Sequence, residues 1–359
     1  MNLVCNQIKN LTEKKYVLFT SNCSTAIYLL LKSLNLKNKK IIVPVNLCYD
    51  VILSIISSRN IPIIIDTNDN LGFSLKDLKD KLEYEEDIKV IIFPYLYGNS
   101  DNFKSVLKLA KKNQIIQIED IAGSLGGKIK QKYFGSFGDF TVGSFGKGKI
   151  IDMSGGGFIA TNNRDVFLKV RRNYKSLSKF QPKNKLIYLK SSEFLERILK
   201  TKKKNLFTQS KIKHFSKGFI YYKKFNKKFY FDLFQKIKKI DLINRFRNNN
   251  SKFYEKIFKF DFLKPITHEK GSVYWRKNFI LKKGSSEKLI KYLNQNNFYS
   301  RKYYPPLNHI FPIYKKKMAN YEKNYKKLIN FWVGEELNKS HIMKARNNII
   351  KFFNENDKI

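Results

Sequence analysis

The sequence is poor in cysteine and in acidic residues, and it has no long apolar run. Its three cysteines, Cys5, Cys23 and Cys48, are an odd number without metal-ligand spacing, which argues against a disulfide framework and predicts no metal site. No segment approaches the roughly 20 apolar residues of a membrane-spanning helix. The first residues, MNLVCNQIKNLTEKKYVLFT, lack the features of a signal peptide, so we expect a cytoplasmic protein.

The shortage of acidic residues leaves a large positive charge. Lys and Arg number 71 against 29 Asp and Glu, a formal net charge of +42. One interpretation is a nucleic-acid-binding protein. The other is a biased gene composition, because Lys, Asn, Ile, Phe and Tyr are all abundant and all have A/T-rich codons. We favour the second and predict no specific nucleic-acid partner, although the charge would attract phosphorylated substrates and anionic surfaces.

In the first half of the chain, short apolar runs alternate with amphipathic segments of helical period. The runs typical of strands are YVLFT, KIIVPV, IPIIIDTN, VIIFPYLYG, IIQIEDIAG, FTVGSFG and GGFIATN. This order predicts an α/β fold with a mostly parallel sheet covered by helices on both faces. Ligands bind such sheets beyond the carboxyl ends of the strands.

The pattern changes after about Thr161. Residues 200–239 are basic and interleaved with aromatic residues, and we expect helices there. We favour a helical layer with lysines outward and aromatics inward over a patch that contacts a membrane surface or nucleic acid. An α+β pattern follows. We therefore predict a large domain over residues 1–236 and a small α+β domain over residues 237–359.

Three polar positions fall at predicted strand ends. Asp120 ends a buried strand, where a carboxylate is costly unless a cation or a hydrogen-bond donor meets it. Ser24 and Thr25 precede an apolar helix, either as N-cap residues or as ligands of a phosphate. On these facts alone, capping is the simpler interpretation of both sites.

The glycine-rich bend GSFGKGKIIDMSGGGFIAT adds a serine and two lysines between two predicted strands. Ser144 is a further phosphate ligand candidate, and Lys147 or Lys149 is either a solvated side chain or a nucleophile. A phosphate cradle, a strand-end carboxylate and a lysine together favour an enzyme that uses pyridoxal 5'-phosphate (PLP). In such an enzyme the lysine forms a Schiff base and the carboxylate pairs with the pyridinium nitrogen.

The sequence resembles the DegT/DnrJ/EryC1/StrS family of sugar aminotransferases, which are fold type I PLP enzymes. NCSTAIYLLL is similar to the family's phosphate turn and first helix, and KIIVPVNLC to the strand before its ring-stacking loop. The most specific block runs from IEDIAG to SGGGFIATN, with an acidic pair, a Gly-Ser-x-Gly-Asp turn, and a lysine four residues after Ser-Phe. FYSRKYYPPLNHIFPIY resembles the tyrosine–proline loop of the family's small domain.

The resemblance implies Lys149 as the Schiff-base lysine, with Lys147 as the alternative, and Asp120 as the partner of the pyridine nitrogen. It implies phosphate contacts from Ser144, Ser24 and Thr25. Three positions depart from the family pattern. Gly123 stands where the family has Gln or His against the ring hydroxyl, Cys48 stands where it has a ring-stacking aromatic unless Tyr49 takes that role, and Asn226 is a candidate for its partner-subunit asparagine.

The resemblance also implies the reaction. A homodimeric aminotransferase would move an amino group from a donor such as glutamate to a nucleotide-linked keto-sugar, with substrate contacts from Arg276, Arg301 and Tyr304. One alternative is a PLP-dependent sugar dehydratase, although that branch of the family has a histidine at the lysine position. The other is a basic scaffold with a degenerate cofactor site.

Overall fold

The computed structural model describes residues 1–201, 209–311 and 317–356, in which helices surround two β-sheets and a small hairpin. The strands are β1 (Tyr16–Thr20), β2 (Lys40–Pro44), β3 (Ile61–Ile65), β4 (Ile88–Pro94), β5 (Ile116–Asp120), β6 (Lys128–Ile129), β7 (Lys132–Tyr133), β8 (Phe140–Ser144), β9 (Gly157–Thr161), β10 (Leu263–Pro265), β11 (Lys277–Leu281), β12 (Ser300–Arg301) and β13 (Leu328–Phe331).

The helices carry the same chain-order numbering, and a 3-10 turn at Leu96–Gly98 follows β4. They are α1 (Asn2–Thr12), α2 (Cys23–Ser33), α3 (Tyr49–Ser57), α4 (Leu75–Tyr84), α5 (Phe103–Lys112), α6 (Arg164–Lys175), α7 (Pro182–Thr201), α8 (Gln209–Phe219), α9 (Lys227–Lys238), α10 (Ile240–Ile257), α11 (Ser286–Gln295), α12 (Leu307–Ile310), α13 (Ala319–Lys327) and α14 (Lys339–Asn356).

The larger sheet has seven strands in the order β1-β9-β8-β5-β4-β2-β3. Strand β9 runs antiparallel to both of its neighbours, and the other pairings are parallel. Its apolar runs are buried on both faces, as β2 shows with Ile41, Ile42 and Val43. A sheet of this kind has to be covered by helices on both sides. The predicted α/β fold is confirmed, and each of the seven predicted runs forms a strand.

Because β1, β2, β4, β5 and β8 share one direction, their carboxyl ends meet at one edge of the larger sheet. The N termini of α2 and α3 lie at the same edge, since each helix follows one of these strands after a short turn. This edge is where the predicted polar residues come together.

Several elements were not predicted from the sequence. Helix α1 buries Val4, Ile8 and Leu11, which form an apolar face of helical spacing. The hairpin of β6 and β7 and the short strands β10 and β12 are too brief for a periodic signal. Strand β13 is buried at all four positions, so it shows no alternation.

The smaller sheet is antiparallel, in the order β10-β11-β13-β12, and has its own apolar core. That core includes Tyr254 of α10, Leu293 of α11, Phe331 of β13 and Ile349 of α14. Helix α9 continues to Lys238, and its Leu233 and Ile237 belong to the core of the larger sheet. The domain boundary after residue 236 stays a prediction.

The basic stretch 200–239 forms helices α8 and α9 where it is described, as expected, and residues 202–208 of that stretch lie outside the described residues. Ile212, Phe215 and Phe219 of α8 are buried, whereas Lys213 and Lys217 are exposed. This arrangement agrees with a helical layer that turns its lysines outward. None of the helices described is long and apolar enough to cross a membrane.

Candidate active site

Of the two lysines in the glycine-rich bend, the structure brings Lys149 to the sheet edge. Lys147 is exposed, whereas Lys149 is partly buried and its Nζ lies 5.2 Å from the centroid of the Trp275 ring. Gly148 has a φ of +73°, a left-handed conformation that glycine adopts at little cost and that turns the chain between the two lysines. The Asp152 carboxylate accepts the Gly148 N–H at 2.6 Å and fixes this turn.

Asp120 and its neighbour Glu119 lie on opposite faces of β5 and have different surroundings. Glu119 accepts hydrogen bonds from the Tyr95 hydroxyl and from three backbone N–H groups of the Gly-Ser-x-Gly-Asp turn, at Gly135, Phe137 and Gly138. Its carboxylate is therefore satisfied within the protein and has a structural role.

Asp120 is 7% exposed and accepts one backbone hydrogen bond, from Ala122 at 2.9 Å. The Cys23 thiol lies 3.9 Å from the same carboxylate oxygen. Burial raises the pKa of Asp120, while the Ala122 N–H and the Lys149 charge lower it. A buried carboxyl with so little compensation is suited to receive a cationic group.

A second carboxyl, Asp50, lies at the same edge and was not predicted. It stands in the first turn of α3, and its Oδ1 is buried without a hydrogen-bond partner among the described residues. Burial raises the pKa of Asp50 to about 7, against the charge of Lys149 and polar contacts with the side chains of Ser24 and Tyr49, which lower it. The edge therefore holds two desolvated carboxyls around one lysine.

The N terminus of α2 contains the residues predicted to contact a phosphate, Ser24 and Thr25. Asn22 caps the helix by accepting the Thr25 N–H at 2.7 Å. The Thr25 hydroxyl donates to the Phe219 carbonyl at 2.8 Å, so this side chain is engaged with helix α8. Ser24 is buried and close to Asp50. The first N–H groups of a helix have no partner within it, so this end of α2 favours an anion.

Strand β9 lies close to the N terminus of α2. A Cβ at Gly157 would lie only 2.5 Å from the Asn22 carbonyl carbon, so the two backbones approach where only glycine fits. The Ser144 Oγ lies at the end of the adjacent β8 and accepts the Gly146 N–H at 3.2 Å. Ser144 is half-buried at the start of the glycine-rich bend that contains Lys147 and Lys149 (the lysine bend).

Two of the three departures from the family pattern, at Cys48 and Gly123, lie near Lys149. Cys48 is the residue before α3, and its thiol is close enough to Asp50 and Lys149 for their charges to affect its pKa, which burial raises. The Tyr49 ring packs edge-on against Phe219 at 6.1 Å. Gly123 faces the indole of Trp275, which a Cβ at Gly123 would meet at 3.8 Å.

The predicted substrate residues fall into two groups. Arg276 is buried beside the lysine bend, with its guanidinium 4.5 Å from the Trp275 ring centroid and its Nε without a hydrogen-bond partner in the part of the chain described. The Tyr304 ring stacks on Trp275 at 5.7 Å. Arg301 is exposed on β12, 5.3 Å from the Tyr299 ring.

Asn226 is exposed and caps helix α9, where its side chain accepts the Phe229 N–H at 2.8 Å. Its proposed reach to a partner subunit stays a prediction. The chemistry of the remaining residues fits PLP: an amine at Lys149, a desolvated carboxyl at Asp120 and the N-terminal end of α2 with Ser24 and Ser144. No group of His, Cys, Asp and Glu suited to a metal ion occurs among the described residues.

The sequence profile of the DegT/DnrJ/EryC1/StrS aminotransferase family matches residues 5–186, just over half of the chain. The chain belongs to this family. The matched part contains the whole larger sheet and, of the residues around Lys149 (the lysine pocket), those that precede Trp275, including Cys48, Asp50 and Asp120.

Among curated relatives, a GDP-perosamine synthase of Escherichia coli O157:H7 is 29% identical over 164 residues, which are 45% of this chain and 44% of that protein. A dTDP-3-amino-3,6-dideoxy-alpha-D-galactopyranose transaminase of Aneurinibacillus thermoaerophilus is 30% identical over 171 residues, 46% of this chain and 47% of that protein. The alignments thus span less than half the length of these relatives.

The fold extends further than the sequence match. Helicobacter pylori PseC, an aminotransferase involved in the biosynthesis of pseudoaminic acid, superposes with a TM-score of 0.78 over 99% of this chain and 91% of its own, at 17% identity. At this identity the likeness establishes the fold, including the smaller sheet.

Proposed function

We propose that this protein is a PLP-dependent aminotransferase that moves an amino group from an amino acid, glutamate in the first instance, to a nucleotide-linked keto-sugar. The observation that carries the proposal is the lysine pocket: Lys149 and Asp120 share one sheet edge without forming an ion pair with each other. Family membership and the nucleotide-sugar reactions of the relatives support the same assignment.

When bound, PLP supplies an aldehyde that takes up an amino group and a pyridinium ring that withdraws electrons. In our proposal Lys149 Nζ holds the cofactor, and the same amine later accepts and returns a proton within the pocket. The Asp120 carboxylate holds the pyridine nitrogen in its protonated form, because the desolvated carboxylate gains most from a cationic partner.

The phosphate would lie on the N terminus of α2, with hydroxyls from Ser24 and Ser144. Thr25 would support the cradle through its bond to Phe219 rather than by its hydroxyl. Arg276 is the proposed contact for an anionic group of the substrate, since its buried Nε has no partner within the described chain. Arg301 and Tyr304 are proposed to line the entrance, and a second subunit to complete the site.

We place the reaction in the cytoplasm, where three free thiols are stable.

The test is an absorption spectrum of the purified protein with PLP, before and after glutamate. We expect a visible band that glutamate shifts, that Lys149→Ala abolishes and that Lys147→Ala preserves. Lys147 is a matched control because it lies two residues away in the same bend and is exposed. A band that survives in Lys149→Ala and disappears in Lys147→Ala would reassign the lysine.

The same samples separate the two alternatives. Incubation with a keto-sugar nucleotide and analysis of the product distinguish an amino-sugar from a deoxy-sugar, which a dehydratase would form. A protein without any PLP band that still binds anionic vesicles or DNA in a salt-dependent way would instead support the basic scaffold.

A further inference from the structure

Trp275 joins the smaller sheet to the edge of the larger one. It precedes β11 and is 6% exposed. Its backbone N–H donates to the Tyr97 carbonyl at 2.9 Å, and the Val273 N–H donates to the Gly98 carbonyl at 3.1 Å. These two bonds attach the segment to the turn after β4, so the indole is placed by backbone contacts and not only by its own packing.

The indole contacts the lysine bend in two ways. Its Nε1 donates to the Gly148 carbonyl at 2.7 Å, and the Lys149 Nζ lies 5.2 Å from the ring centroid. The first contact fixes the backbone from which Lys149 projects. The second places the amine over the electron-rich face of the ring, a face that attracts cations.

The indole also lies beside Gly123. A Cβ at Gly123 would meet the Trp275 ring at 3.8 Å, an ordinary van der Waals contact, so the ring bounds the space next to this residue. On its other sides the ring is held by the Tyr304 ring, nearly parallel at 5.7 Å, and by the Arg276 guanidinium at 4.5 Å. The ring therefore has little freedom to move.

We propose that Trp275 is a positioning residue that aligns Lys149 through the Gly148 carbonyl and forms the wall of the cofactor pocket beside Gly123. This inference rests on the proposed PLP function. It assigns to a residue just before β11 of the smaller sheet a role in a site that otherwise belongs to the larger sheet.

The chain has two tryptophans, and the other provides a matched control. Trp332 also packs on Arg276, at 3.8 Å, but its Nε1 donates to Glu336 and not to the lysine bend. The variants are Trp275→Phe, which keeps a ring and removes the N–H donor, Trp275→Ala, which removes both, and Trp332→Phe. Thermal unfolding of each confirms that it is folded.

Three readouts test the role, with PLP as the probe. For Trp275→Phe we expect PLP to bind about fivefold more weakly, the size of one net hydrogen bond. For Trp275→Ala we also expect the pH midpoint of the visible band to fall by about half a unit, because the ring face no longer favours the cation. Borohydride trapping followed by peptide mass mapping should show a smaller share of label on Lys149, while Trp332→Phe matches wild type.

The proposal would be overturned if both Trp275 variants matched the wild-type protein in PLP affinity, in the pH midpoint of the visible band and in the share of label on Lys149. So would equal changes in Trp332→Phe, because they would assign the effect to Arg276. If Trp275→Ala is unfolded, the PLP affinity of Trp275→Phe and its share of label on Lys149 decide whether the proposal holds. A wild-type protein without the visible band would mean that the proposed function has failed, which is distinct from failure of the inference.

Discussion

The two sheets differ in whether their buried charged side chains have ion-pair partners. In the smaller sheet Lys277 is fully buried, forms an ion pair with Glu255 and donates to the Ile266 carbonyl at 3.1 Å. At the edge of the larger sheet Lys149 and the carboxyls of Asp50 and Asp120 influence one another, yet Lys149 has no ion-pair partner among the described residues.

This difference indicates which charged side chains are candidates for binding a ligand. A buried charge with an ion-pair partner is compensated within the fold, and removal of that partner is costly because it leaves the charge uncompensated. Charged groups that are gathered in one pocket without ion-pair partners gain little for the fold, so they indicate a ligand. The following experiments test this contrast, beginning with the largest expected effect.

Glu255→Ala should destabilise the protein by about 3 kcal/mol, because it leaves the buried Lys277 ammonium without its carboxylate. Chemical denaturation measures the change. Glu85→Ala is the control, since Glu85 forms partly exposed pairs with Lys40 and Lys81 and should cost only about 0.5 kcal/mol. Equal losses would mean that the smaller sheet does not depend on this ion pair.

Asp120→Asn should weaken PLP binding by about tenfold or more while leaving the free protein as stable as wild type or more stable. Burial raises the pKa of Asp120, so its ionised form carries a penalty in the folded state that the amide lacks. Any gain in melting temperature should be larger at pH 8 than at pH 4. Equilibrium dialysis and thermal unfolding provide both values, and a stability loss like that of Glu255→Ala would make Asp120 structural.

Asp50→Asn should flatten the pH dependence of stability. The pKa of Asp50 is raised to about 7, so between about pH 4 and pH 7 the folded chain keeps a proton that the unfolded chain has released. Wild-type stability should therefore fall through this window as pH rises, and the variant should lose that part of the slope. Melting temperatures at pH 5 and pH 7.5 measure it, with exposed Asp87 replaced by Asn as the control.

Gly123→Ala should change stability by no more than about 0.5 kcal/mol, because its Cβ would be in ordinary contact with Trp275. Gly157→Ala should cost about 1–3 kcal/mol, since its Cβ would lie 2.5 Å from the Asn22 backbone. Denaturation curves of the two variants compare a glycine that has room for a Cβ with one that has none. A large loss of stability in Gly123→Ala would show that the space between Gly123 and Trp275 cannot hold a methyl group.

The sequence was most informative where a local pattern specifies a local structure. Short apolar runs that alternate with amphipathic segments predicted the larger sheet, because parallel strands buried on both faces consist of continuous apolar residues. The bend that contains Lys149 was visible from its glycines, which permit a left-handed turn. The short strands β10, β12 and β13 gave no such signal; β10 and β13 pair with β11, and β12 pairs with β13.

The sequence alone determined the α/β fold, the family and the polar residues at the strand ends, since each depends on residues close together in the chain. Tertiary structure decided which of these residues share a pocket. It leaves Lys147 exposed and Lys149 partly buried, adds Asp50 from the start of α3, and brings Trp275, just before β11, to within hydrogen-bonding distance of Gly148. Burial and electrostatic coupling depend on distances in space, and residues 50, 149 and 275 become neighbours only in the folded chain.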